Sequence, residues 1–93
     1  MNKCLRIDVK AHFPKNFLQD FIQKNAHKYD LEGSAQVVES GQHIIVIICG
    51  EPENIDSFLD ELHKGSGKFI PKSIEIEPFL KDKDYRGVFR IIE

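Results

Sequence analysis

An α+β fold, a ferredoxin-like two-layer sandwich, is what this sequence predicts, and three observations predict it. Residues Leu5, Ile7, Val9 and Ala11 alternate with Arg6, Asp8, Lys10 and His12, which is the period of a half-buried strand. Apolar residues then fall at helical spacing from about Asn16 to Tyr29. The strand and helix patterns recur in the order β-α-β-β-α-β, followed by a short terminal strand. Two split β-α-β crossovers of this kind place both helices on one face of an antiparallel sheet.

Each element has its own justification. In the first helix Leu18, Ile22, Asn25 and Tyr29 form one row, beside Phe17, Phe21 and Ala26. Asn16 and Gln19, three apart at its start, predict a capping box. Gly33 opens a second strand, roughly 34–39, and Ser40-Gly41-Gln42 reads as a tight turn. The run from His43 to Cys49 is almost continuously apolar, which predicts a central strand. Pro52 suits the first turn of a second helix that buries Ile55, Phe58, Leu59 and Leu62, and Gly65 stops it. The loop Gly65-Ser66-Gly67-Lys68 lacks the spacing of a P-loop. Residues Ser73 to Phe79 alternate again, Lys81-Asp82-Lys83-Asp84 is a solvated connection, and Val88 to Ile92 forms the last strand.

Composition bounds the function. The chain has 93 residues, which predicts one domain, 1–93. Its formal net charge of −2 and scattered basic residues give no footprint for nucleic acid. No apolar run reaches membrane-spanning length, so the expectation is a cytoplasmic protein. Cys4 and Cys49 lack C-x-x-C spacing and read as two reduced thiols. The histidines at 12, 27, 43 and 63 form no paired ligand motif, so no metal and no cofactor is implied.

Specific residues carry a resemblance. Ala26 to Gly33, with Leu31 and Gly33 in register, resembles the first-helix exit of the acylphosphatases. Gly50 through Leu59 and Leu62 to Gly65 resembles their second helix and its stop. Ile74-Glu75-Ile76-Glu77 and Phe89-Arg90-Ile91 look like their fourth and terminal strands. The likeness runs from about Leu5 to Ile91 with almost no gap. It implies hydrolysis of carboxyl-phosphate anhydrides without metal or cofactor. In that family a glycine-rich loop holds phosphate on backbone N–H groups. An arginine at the helix start grips the phosphate, and an asparagine on the second strand positions water.

The chain departs from all three features. The loop carries Pro14, Lys15 and Asn16 where the family has glycine-rich sequence, Gln19 aligns with the arginine, and Val37 with the asparagine. Proline has no N–H, glutamine has neither charge nor planar fork, and valine cannot orient water. The remaining candidates for a small anion at the 13–19 loop are Lys15, Asn16, Gln19 and His12. The resemblance therefore leads to a binding or regulatory module with impaired catalysis. The alternatives are a divergent acylphosphatase that uses Lys15 as its cation, and a self-associating protein.

The last alternative rests on the outer sheet face. If Ile44, Val46 and Ile48 face the helices, then Ile45, Ile47 and Cys49 face away as an apolar stripe. Such a stripe marks a homodimer or protein-partner surface, unless neighbours such as Arg6 and Lys10 cover it. Cys4 shares that face, and it is expected to lie near Cys49 without a bond.

Overall fold

A computed structural model describes residues 2–38, 41–65, 69–80 and 86–92. The elements are β1 (Lys3–Lys10), α1, β2 (Glu32–Val38), β3 (His43–Gly50), α2 (Pro52–Lys64), β4 (Ser73–Pro78) and β5 (Phe89–Ile92). Helix α1 has two parts, a π-helical stretch Leu18–Gln23 and an α-helical stretch Lys24–Lys28. The expected turn at Ser40, the 66–68 loop and the 81–84 connection lie outside the described residues.

The strand order is β4-β1-β3-β2-β5. Neighbours among the first four strands are antiparallel, as the split crossovers require. The fifth strand corrects the expectation of a fully antiparallel sheet, because β5 runs parallel to β2. The reason is the route of the chain. β4 ends at the edge where Pro78 pairs with Leu5, and β5 starts at the opposite edge, where Phe89 pairs with Gly33. β4 thus ends and β5 begins at the same end of the sheet, and β5 enters alongside the start of β2.

The alternation of β1 and the apolar run of β3 translate directly into the core. Ile7, Val9, Ile44, Val46 and Ile48 are fully buried, and they meet Ile22 and Ala26 of α1 and Ile55, Phe58 and Leu62 of α2. Each of these side chains other than Ala26 contributes about 1.5–3 kcal/mol by leaving water. Gly65 ends α2 at φ 74°, a left-handed conformation that suits glycine.

The outer face does not present Ile45, Ile47 and Cys49 as a fully exposed stripe. Ile45 and Ile47 are half-buried and Cys49 is only 2% exposed. The registers explain the cover. Ile47 lies between Arg6 and Ser34, and Ile45 between Asp8 and Gln36. The cysteine expectation is also corrected. Cys4 pairs directly with Cys49, at a Cα separation of 4.1 Å, and the two form a disulfide. That spacing is far inside the limit of about 7 Å beyond which no bridge closes.

Candidate functional site

The site is built where β1 passes into α1. Beyond Lys10 the chain leaves the sheet and packs Phe13 and Phe17 downward. Phe17 lies 5.1 Å from Phe13, 5.1 Å from Phe21 and 4.4 Å from Phe69, ring centre to ring centre. Phe69 is completely buried. Four phenylalanines thus anchor this loop from beneath, a role that glycine-rich sequence has no side chains to play. Offset aromatic pairs of this kind add about 0.5–1.5 kcal/mol each beyond the area they bury.

The anchor fixes the backbone above it. The Phe17 N–H donates to the Pro14 carbonyl at 3.1 Å, and the Asp20 N–H donates to the Asn16 carbonyl at 2.8 Å. Asn16 sits between them at φ 61°, a left-handed conformation that asparagine tolerates better than most residues. The expected capping box is therefore corrected. The residue preceding the helix is Phe17, and no side chain caps its start. Asn16, left-handed at φ 61°, precedes the helix. The π-helical stretch that follows is the kind of local distortion often found beside functional sites. From the α-helical part of α1, the Asn25 Nδ2 donates back to the Phe21 carbonyl at 2.8 Å.

Above the loop lies a cleft of about 420 Å³. The loop and α1 contribute Phe13, Pro14, Asn16, Phe17, Leu18 and Gln19 to its wall. The sheet contributes Val37, Ile44, Ile91 and Ile92, with Gly41 at the turn. Val37 pairs with Ile44, which faces the helices, yet it is 45% exposed because it opens into the cleft. Gln19 and Val37, the two positions aligned above with the catalytic arginine and asparagine, therefore line one cleft, with Asn16 beside them. His12 and Lys15 are exposed and do not line it.

Chemically the cleft is apolar. Among the described residues that line it, none carries a charge, and its polar side chains are the two amides of Asn16 and Gln19. Sequence reasoning missed Phe13, Leu18, Ile44, Ile91 and Ile92 as wall residues. The spacing of Phe13, Phe17 and Phe21, four apart, was the available signal for the aromatic anchor. Ile91 and Ile92 arrive only through the parallel pairing of β5, which local sequence does not encode. The Gln23 Nε2 donates to the Phe89 carbonyl at 3.3 Å and ties α1 to that strand.

On the opposite face, charged groups cluster around Asp8. Its carboxylate accepts from Arg6 Nε at 3.1 Å and lies 2.9 Å from His43 Nε2. The Arg6 hydrogen bond holds the Asp8 carboxyl below its usual range, helped by His43 and opposed by partial burial. Among the described residues, no group of three or more His, Cys, Asp or Glu side chains could hold a metal ion. Among the described residues, no helix is long and apolar enough to cross a membrane.

Comparison with known proteins places this geometry. No family model matches the chain. An acylphosphatase from Caldivirga maquilingensis is 20% identical over 83 residues, covering 89% of this chain and 87% of the relative. The acylphosphatase structure from Bacillus subtilis superposes with a TM-score of 0.84 at 20% identity, covering 100% of both chains. That from Coxiella burnetii gives 0.83 at 21% identity, over 98% of this chain and 93% of the other. On these likenesses the chain is acylphosphatase-like: it has the acylphosphatase fold from one end to the other.

Proposed function

We propose that this chain is a binding module on an acylphosphatase-like scaffold. Its cleft takes a small molecule with an apolar body instead of hydrolysing an acyl phosphate. One observation carries the reading: the cleft formed by the 13–19 loop, Gln19 and Val37 is walled by apolar side chains. Phosphoryl transfer spreads negative charge over the equatorial oxygens, and catalysis depends on donors and a cation aimed at them. Here Pro14 offers no N–H, and the Phe17 N–H is already given to the Pro14 carbonyl. A volume of about 420 Å³ falls within the range of small-molecule pockets. The Asn16 and Gln19 amides would orient one polar end of the ligand.

Two measurements test this. Benzoyl phosphate hydrolysis is expected to stay at background. A neutral apolar dye such as Nile red is expected to bind at one saturable site, with affinity lowered about tenfold or more by Val37→Asp, which places a charge in the cleft. Turnover at an enzyme's rate, abolished by Lys15→Ala, would overturn the proposal in favour of a divergent acylphosphatase. Dye binding that Val37→Asp leaves unchanged would remove the cleft from it.

A further inference from the structure

A second pocket lies beyond the 41–42 turn from the cleft and has the opposite character. Gly41 lines the cleft, whereas Gln42 lines a separate pocket of about 280 Å³ with Lys10, Ala11, His43 and Lys72. Backbone bonding builds it. The Lys72 N–H donates to the Lys10 carbonyl at 2.9 Å, and the Ala11 N–H donates to the Gln42 carbonyl at 3.2 Å. Lys10 is also the register partner of His43 on β3 and of Ser73 on β4. Two lysines from separate segments thus line one opening.

No carboxylate lines this pocket among the described residues. The neighbouring acid, Asp8, already has Arg6 and His43 as partners. Glu75, across from Asp8 on β4, is exposed and outside the lining. Adjacent like charges focus a positive potential that a counter-ion relieves. Lysine serves such a site as a mobile point charge, and the Gln42 side chain adds a neutral hydrogen-bonding group.

We propose that Lys10 and Lys72, with Gln42 and His43 forming the remaining wall, bind a small oxyanion of the phosphate type. This site is separate from the cleft and does not rest on the function proposed for it.

The test is an amide NMR titration of the full chain with inorganic phosphate at constant ionic strength, repeated with sulfate and with chloride. Saturable shifts centred on Lys10, Ala11, Gln42, His43 and Lys72 are expected with phosphate. Lys10→Ala and Lys72→Ala should each weaken binding about three- to tenfold, the scale of one charge-assisted contact on a partly exposed surface. Lys15→Ala should leave it unchanged. Both lysines are exposed and their backbone bonds survive truncation, so the variants are expected to fold. Equal saturation by sulfate supports an oxyanion site, and saturation by phosphate alone supports a phosphate site. Shifts that rise without saturating, or that chloride reproduces, overturn the proposal. Shifts centred on residues 13–19 overturn it too, and they alone would also count against the apolar cleft.

Discussion

Asp8 shows how one residue on the sheet face ties stability to pH. The Arg6 guanidinium and His43 hold its carboxyl below the usual carboxylate range. A folded-state pKa lowered in this way stabilises the protein above the unfolded value of about 3.9. The gain disappears as pH falls through the folded value. Stability is therefore expected to drop on acidification below about pH 4, and Asp8→Asn should flatten that part of the profile while lowering stability at neutral pH. Urea denaturation of both proteins from pH 2.5 to 7 checks this. Parallel profiles would mean that another carboxylate governs the acid limb. At the same scale, Asn16 shows what sequence cannot announce. Asparagine serves both as a helix cap and in the left-handed conformation, and only the packing of Phe13 and Phe17 decides between them.

Among the elements, β3 was the most legible. A run of five apolar residues between His43 and Cys49 has one sensible reading, and Ile44, Val46 and Ile48 are fully buried beneath the helices. Its pairing with β2 depends on Gly33. At φ 141°, a Cβ there would lie 1.9 Å from the Ile47 carbonyl oxygen. Gly33→Ala should therefore cost about 2 kcal/mol or more, as strained backbone and overpacking combine, read as a lower urea midpoint. The β1–β3 pairing carries a second constraint that periodicity could not reveal. Alternation placed Cys4 and Cys49 on the same face, but whether facing thiols join depends on register and on oxidation, and neither is written in hydropathy. The disulfide closes a sequence separation of 45 residues. The loop-entropy relation assigns such a bridge about 4 kcal/mol. Adding a reducing agent should lower the urea midpoint of the native chain and leave a Cys4→Ser, Cys49→Ser variant unmoved. An unchanged native midpoint would show that the sheet holds without the bond.

For the molecule as a whole, the question is what arginine and asparagine at positions 19 and 37 would do for acyl phosphate hydrolysis on this acylphosphatase-like fold. The fold brings Gln19 of α1 and Val37 of β2 to one cleft, so Gln19→Arg with Val37→Asn would supply a cation and a water-holding amide in the same place. These are the two changes that the aligned positions invite. They leave the third requirement unmet, because oriented backbone donors come from the loop and not from either side chain. The proline at 14 has no N–H to offer, and the Phe17 N–H stays with the Pro14 carbonyl. The packed rings of Phe13, Phe17 and Phe69 hold that turn in place. Losing one such donor costs about 10²–10³ in rate. The double variant is therefore expected to hydrolyse benzoyl phosphate at least about a hundredfold below a typical acylphosphatase measured alongside it. Replacing Pro14, Lys15 and Asn16 by glycine as well should raise the rate further, because freed φ angles let N–H groups turn toward the phosphoryl oxygens. Full activity from the two side chains alone would refute this account of the loop. No gain from the glycines would place the obstacle in the aromatic anchor beneath it.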